Sequence, residues 1–282
     1  MIKVLIIGFG KVGSHLCNAI KRKNSKYSVT VSKSSRHLIN KRALSDSDVI
    51  IICVQDDKIG NAVKSIIKSG AILKGKITAH TSGTLTSDEL EGLKKRGARI
   101  ASFHPVQTFN RKARPNDRLF ENIYTAIEGN TYALKILRKI ARDIGSIPVN
   151  IEKDFKTLHH ICCVISSSYT AAGFSIIDDI YTLKNGFKKV NFLNIYMPLV
   201  KQTISNIESD GIEKSLTGPI VRNDVKTLQK HIEKLETLKS KEIVDYYRFN
   251  GHRILNILHR NERITGKQFH ELKKLLKPKT KN

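Results

Sequence analysis

Apolar positions follow two different rhythms along the chain. Up to residue 151, short apolar runs alternate with stretches of helical period. KVLII (3–7) is a compact run closed by glycine, and Val12, Leu16, Ala19 and Ile20 follow it at helical spacing. YSVTVS (27–32) predicts a second strand. DVIIICV (48–54) is continuous and β-branched, as a central parallel strand buried on both faces should be. Ile59, Ala62, Val63, Ile66 and Ile67 predict the next helix, and KITAHT (76–81) a fourth strand. Thr86 and Glu89 have capping-box spacing ahead of Leu90 and Leu93. ARIASF (98–103), YTAIE (124–128) and IPVNI (147–151) predict further strands. Leu134, Leu137, Ile140, Ala141 and Ile144 form a helical face before the last of them. This alternation implies an α/β fold with a doubly wound, mostly parallel sheet.

From residue 152 nearly every apolar repeat is helical. The pattern predicts a long helix from about Asp154 to Lys184, and a helix start at Pro198. A break follows at Gly218-Pro219. Val225, Leu228, Ile232 and Leu235 predict a helix capped by Asn223 or Asp224. A last helix covers about 241–260, with a solvated basic tail after it. Two domains follow: a Rossmann domain over 1–151 and an all-helical domain over 152–282.

Length agrees, since 282 residues suit two domains. The opening apolar run is too short for a signal core and ends in glycines, so a signal peptide is not expected. The longest uncharged stretch, Ile161–Ile177, carries five serine and threonine side chains and is read as a buried helix rather than a membrane span. Cys17, Cys53, Cys162 and Cys163 lie in apolar stretches without framework spacing, which predicts small buried thiols in a reducing compartment. A cytoplasmic protein is the expectation.

The net charge is +25, and both halves carry an excess: 27 basic against 11 acidic residues up to 151, then 23 against 14. No long basic arm and no interleaved aromatics accompany it, so nucleic acid is not an expected partner. An anionic cofactor or substrate would benefit from the field.

Gly8-Phe9-Gly10-Lys11-Val12-Gly13 is a GxGxxG motif that follows a strand and opens a helix, the context that dinucleotide binding requires. Gly8 suits the tight turn, Gly10 a close approach to pyrophosphate, and Gly13 tight packing of helix on strand. The free N–H groups of the helix start suit phosphate. At the end of the second strand an NAD site carries Asp or Glu; here stand Ser32-Lys33-Ser34-Ser35-Arg36. Hydroxyls and cations favour NADP(H), through Ser32, Ser34, Ser35 and Arg36, with Lys33 open to being a solvated charge. Val54, Gln55 and Asp56 should pass beneath the cofactor.

Two segments fall at the ends of the fourth and fifth strands, where open α/β sheets place ligands. They are His80-Thr81-Ser82-Gly83 and Phe103-His104-Pro105-Val106-Gln107. His104 could exchange a proton with substrate as hydride moves, with Ser82 orienting it. The alternative is a loop histidine bonded to backbone. His80, inside its strand, is read as structural. A metal is not expected at these histidines, since no acidic or cysteine partner lies at ligand spacing.

Longer segments add a resemblance: IIGFGKVG (6–13), HTSGTL (80–85), FHPVQTF (103–109), AIEG (126–129), KTLHHICCVISSSY (156–169), MPLVKQTISN (197–206) and LTGPIVRNDVKTLQKH (216–231). The chain resembles two-domain Rossmann-like oxidoreductases with a C-terminal domain of unknown function 2520. These are similar in plan to pyrroline-5-carboxylate reductases and other 6-phosphogluconate-dehydrogenase-like enzymes. The resemblance implies an NADP(H)-binding domain, a helical second domain and a dimer built through its helices. Its pattern carries over to Ser82, Gly83, His104, Pro105, Gln107, Lys156, His160, Asn206, Arg222, Asp224 and His231. Two positions depart from it. Ser166-Ser167-Ser168-Tyr169 stands where Ala-Ser-Asn before an aromatic is usual, and Asn223 where glycine is usual. A weaker likeness to prephenate dehydrogenases, which place a His-Pro after the corresponding strand, supports pairing His104 with Ser82.

Lys156 and His160 share a helix face (i, i+4) that could line an interdomain cleft and draw in an anion. Asp224 is read as a helix cap. Arg222 suits a substrate carboxylate, which guanidinium binds bidentately. The leading reading is an NADP(H)-dependent reductase or dehydrogenase with His104, Ser82, Lys156 and His160 at the chemistry. Gln107, Ser168, Asn206 and Arg222 would hold a small, anionic carbonyl, imine or alcohol. The alternative is a non-catalytic NADP(H)-binding or sensing protein.

Overall fold

The computed structural model describes residues 1–33, 39–114, 116–183 and 191–277. The chain divides into two compact units, Met1–Ser168 and Tyr169–Asn282.

The first unit is built on seven strands: β1 (Ile2–Ile7), β2 (Tyr27–Ser32), β3 (Val49–Ile52), β4 (Ile77–His80), β5 (Arg99–Pro105), β6 (Tyr124–Gly129) and β7 (Ile147–Asn150). Their order in the sheet is β2-β1-β3-β4-β5-β6-β7. All neighbours are parallel except β5 and β6, which pair antiparallel with Phe103 opposite Ile127. The period of two in β1 divides its side chains between two apolar layers. Val4 and Ile6 join the layer under α1 (Lys11–Lys21) and α5 (Thr131–Asp143), with Leu16, Ile20, Leu137 and Ile140. Leu5 and Ile7 join Ile59, Ile66, Leu90 and Leu93 on the other side. Those come from α3 (Asp56–Lys68) and from a 3₁₀ turn, Ser87–Leu90, that runs into α4 (Glu91–Lys94). The short α2 (Lys41–Asp46), capped by Asn40, gives no clear period and was not expected. Thr86 caps the 3₁₀ turn by accepting from the Asp88 N–H, so the expected helix there is a tighter turn first.

α6 (Lys156–Val164) still belongs to the first unit. The composition changes at 152, but the compact unit runs to Ser168 because α6 buries Lys156 completely. A wide π turn, Ile165–Tyr169, continues α6 into α7 (Thr170–Leu183). Lys156–Leu183 is long and apolar enough to cross a membrane by length and composition, and only 6% of its apolar window is buried. The expectation of a buried helix over 161–177 is therefore corrected: within one chain Leu158, Ile161 and Ile165 face outward.

In the second unit α8 (Phe192–Lys214) starts at its Asn191 cap, so Pro198 lies inside the helix rather than at its start. Asp224 caps α9 (Val225–Glu236) through the Thr227 N–H. After α10 (Lys241–Arg260) the chain forms a further helix, α11 (Gly266–Leu276), closed by a Thr265–Gln268 capping box. The expected solvated tail is thus corrected up to Lys277. Leu272 and Leu276 are fully buried against Leu228, Leu255 and Leu258. Burial of a leucine stabilises by about 1.5–3 kcal/mol, which outweighs the loss of solvation along a lysine-rich but amphipathic strip.

Candidate active site

The glycine motif adopts the geometry its residue types call for. Gly8 has φ +96°, and a Cβ there would sit 2.5 Å from the Cys53 carbonyl oxygen. Gly13 faces the Gly8 carbonyl so closely that a Cβ would stand 2.1 Å from it. Gly10 is the opposite case: nothing lies within 4 Å of its missing Cβ, and it caps α1 without a side-chain hydrogen bond. The start of α1 is therefore bare backbone facing a cleft of about 1010 Å³. Gly8 to Val12, Val54 and Gln55 line this cleft as expected. Gly13 does not; it sets the packing of α1 on β3. Ser32 instead uses its carbonyl to accept from the Gly8 N–H at 2.8 Å. Ser34, Ser35 and Arg36 lie outside the described residues.

Cations ring the cleft. Lys11, Lys33, Lys58 and Lys112 all line it, and no carboxylate does so among the described residues. Lys33 thus lines the cleft while remaining exposed to solvent. Lys58 and Asn61 come from the first turns of α3, one turn apart, a placement that fixing β3 would have revealed. Lys112 had no local signal. It arrives because the β5–β6 connection is strapped over α1: the Ala113 N–H donates to Ser14 Oγ at 2.9 Å, and Arg22 donates to the Asp117 carbonyl at 2.9 Å. Bare helix N–H groups, a glycine a Cβ could fill and four lysines fit the diphosphate and extra phosphate of a dinucleotide. Lys11, Lys33, Lys58 and Lys112 with the Gly8–Val12 backbone are the groups that would hold it.

The segment after β4 links this cleft to a second cavity. Thr81 lines the cleft. Ser82 is buried, and its hydroxyl donates to Asp56 at 2.8 Å while accepting from the N–H groups of Thr84 and Leu85. Asp56 therefore holds Ser82 and does not line the cleft. The Ser82 hydroxyl is fully engaged, which corrects its expected role of orienting His104; its part is to shape the turn. His80 is structural as expected: its ring accepts from the Ser82 N–H and donates from Nε2 to the Thr86 carbonyl at 2.8 Å. Burial keeps it neutral.

Beside this turn lies a cavity of about 490 Å³, lined by His104, Gln107, His159, His160, Cys163 and the serines 166–168. Lys156 does not line the cavity; it is completely buried behind it, on the same helix as His159 and His160. Its Nζ donates to the Ser82 carbonyl at 3.1 Å and to Ser102 Oγ at 2.9 Å, and it has no carboxylate within ion-pair distance among the described residues. Burial lowers its pKa to about 8 against the pull of Glu128 and Asp56. Glu128 is itself buried, accepting from the Ser87 hydroxyl at 3.0 Å. Burial, the Lys156 charge and the neighbouring imidazoles press His104 down to about 3, so it is neutral at physiological pH. Its Nδ1 is buried without a hydrogen-bond partner among the described residues, so no backbone bond at that nitrogen accounts for its position. His160 is fixed by Thr84, Nδ1 to Oγ1 at 2.8 Å. The rings of His104 and His160 meet edge to face with centroids 5.9 Å apart.

The structure thus brings Ser82, His104, Lys156, His160, Gln107 and Ser168 together in the first unit. Asn206 and Arg222 belong to the second unit. There Asn206 accepts from Gln202 on exposed α8, and Arg222 is exposed in the turn before Asp224. Sequence reasoning missed His159, Thr84 and Ser102. It also read all four cysteines as buried, whereas Cys162 is exposed and Cys163 partly so. No cysteine is near His104 in sequence, but the fold places Cys163 beside His159 in the same cavity.

These features define an α/β domain with a mostly parallel sheet and a bare glycine loop, followed by a helical domain. Residues 1–105 match a Rossmann-like domain, and residues 123–254 match the domain of unknown function DUF2520. The chain thus carries the two domains in succession. No curated protein matches the sequence. Among solved structures, a Thermotoga maritima protein superposes with TM-score 0.69 at 21% identity, over 92% of this chain and 99% of that one. An imine reductase from Myxococcus stipitatus in complex with NADP+ gives 0.62 at 16%, over 98% and 100%. A Plasmodium falciparum pyrroline carboxylate reductase with NADP bound gives 0.54 at 15%, over 98% of both chains.

Proposed function

We propose that this protein is an NADP(H)-dependent oxidoreductase that reduces a small, anionic carbonyl or imine or oxidises the matching alcohol or amine. One observation carries the reading. Thr81 lines the lysine-ringed glycine cleft, while Gly83 and Thr84 of the same turn stand against His104 and His160 of the second cavity, so a dinucleotide held in the first would reach toward the second. Neighbours of the same fold that bind NADP support it. The cofactor, when bound, supplies or accepts a hydride. Every other task falls to the chain. The four cleft lysines select the phosphates, and a lining without a carboxylate among the described residues favours NADP(H) over NAD(H). Lys156 holds a proton on Nζ in a buried site, and its unpaired charge attracts an anionic substrate. His104, kept neutral, faces the cavity and passes a proton at its ring nitrogen. Gln107 and Ser168 line the cavity as substrate contacts.

The helical region forms the partner surface in this reading. Leu158, Ile161 and Ile165 recur at i, i+3 and i+7 and are exposed, so a second copy covers them. A bilayer does not suit them, because the same helix presents His159, His160 and Cys163 to a polar cavity.

Calorimetric titration with NADPH and NADH, followed by a carbonyl and imine panel read by NADPH absorbance, tests the proposal. Tighter binding of NADPH and turnover of an anionic member support it. Binding without turnover of any member points to the non-catalytic alternative. No uptake of either nucleotide by folded protein overturns both.

A further inference from the structure

His104 ends a strand and is followed by Pro105; His159 and Cys163 stand one turn apart on α6. Each offers one ligand atom, and the three atoms lie within 4.8 Å of one another. Cys163 Sγ is 3.8 Å from His159 Nε2. Ligand bonds of roughly 2.0–2.3 Å at tetrahedral angles put nitrogen and sulfur about 3.6 Å apart, so this pair is close to chelating distance as it stands. The i, i+4 spacing on one helix face is suited to holding a single ion from two side chains. The rings of His104 and His159 stand at 86° with centroids 5.7 Å apart, so neither stacks on the other and blocks the space between.

We infer that His104, His159 and Cys163 form a binding site for a zinc-class divalent ion, with the remaining coordination position open to the cavity. Two imidazoles and one thiolate are a borderline-soft donor set, which suits Zn²⁺ or Co²⁺ and not Mg²⁺ or Ca²⁺. Three protein ligands with an open fourth place are the arrangement of a reactive or exchangeable site rather than a closed structural one. His160 stands outside the group, since only the ligand atoms of His104, His159 and Cys163 lie within 4.8 Å of one another. Cys162 also lines this cavity and is exposed, but its sulfur is not among the three ligand atoms that cluster within 4.8 Å. Binding expels the Cys163 thiol proton to solvent and leaves the sulfur as thiolate. The nearby Lys156 ammonium opposes a cation, so the ion is exchangeable rather than permanent.

The inference stands on geometry and does not require the reductase reading. If both hold, a metal on His104 takes the nitrogen that would pass a proton, and zinc inhibits turnover reversibly.

The test is cobalt titration of the full chain under reducing conditions. The expected result is one Co²⁺ per chain, with a thiolate-to-cobalt charge-transfer band and visible bands of tetrahedral intensity, displaced by Zn²⁺. Cys163→Ser should abolish the charge-transfer band, and His159→Ala should weaken binding at least about 100-fold, since loss of even an outer-shell partner costs 10- to 100-fold. Cys162→Ser should keep both band and affinity. Retained NADPH uptake, or an unchanged circular dichroism spectrum should NADPH not bind, shows that each variant is folded. No charge-transfer band in the parent chain overturns the site, as does a Cys163→Ser variant that binds like the parent, or loss of the band in Cys162→Ser.

Discussion

The glycine loop makes a prediction that separates folding from binding. At Gly13 a Cβ would meet the Gly8 carbonyl oxygen at 2.1 Å and Cys53 Cβ at 3.1 Å. The oxygen belongs to backbone, so relief requires α1 to move away from β1 by about 1 Å. Overpacking of this kind costs about 1–3 kcal/mol, or more where backbone must shift. For a unit of this size 1 kcal/mol moves Tm by about 2–4 °C, so Gly13→Ala should melt about 6–12 °C lower at the upper figure. Gly10→Ala behaves differently. Gly10 has φ −80° and empty space around its Cβ position, so the apoprotein loses only a few tenths of a kcal/mol. The new methyl fills the cradle and displaces a phosphate from at least one charge-assisted hydrogen bond, worth about 1.5–3 kcal/mol. NADPH affinity should fall about 10- to 100-fold by calorimetry while Tm stays within about 2 °C. Unchanged NADPH affinity in Gly10→Ala would refute the cradle, and an unshifted Tm in Gly13→Ala would refute the packing argument.

Other outcomes follow from the same geometry. His104→Ala should lower kcat about 100-fold or more while NADPH affinity stays within about two-fold; retained turnover removes His104 from the chemistry. Lys156 is protonated below about pH 8, so turnover should fall as pH rises through that value. Lys156→Met should be slow throughout and lack that limb; a parent-like pH–rate profile in the variant sinks the assignment. Asp143 is partly buried, which raises its pKa, but the Lys26 ammonium and Tyr27 hydroxyl, both at 2.6 Å, outweigh burial and lower it. A depressed carboxylate stabilises the fold above its unfolded pKa and stops doing so as pH falls through the folded value. The Tm gap between parent and Asp143→Asn should therefore be full at pH 7 and close toward pH 3, as read by thermal melts. Light scattering should give the mass of two chains, and Leu158→Glu with Ile161→Glu the mass of one; a monomeric parent chain overturns the dimer.

Much of the first unit was legible because its physics is local. The alternation of KVLII and DVIIICV with helical stripes fixes the strands, and a GxGxxG between strand and helix fixes the loop. The second unit was harder to read at its ends. Lysines around Leu272 and Leu276 suggested a solvated tail, although Thr265 and Gln268 already carried a capping signature. The chemistry was least legible where it depends on long-range packing. Ser82 looked like a partner for His104, yet Asp56 and two backbone N–H groups from its own turn saturate it. Lys112 reaches the glycine-loop cleft only through a strap over α1, and Cys163 reaches His104 only through the docking of α6.

The wide turn at Ile165–Tyr169 has its own bearing on how such a sequence is read. It holds one residue more than an α-helix accommodates, and the hydroxyls of Ser166 and Ser167 reach back to the carbonyls of Cys162 and Cys163 at 2.8 and 2.7 Å. Beyond that surplus residue the angular phase advances by about 100°. A helical wheel drawn straight through 156–183 therefore scrambles two orderly stripes into one blurred girdle, and the serine run is the seam at which the wheel has to be restarted.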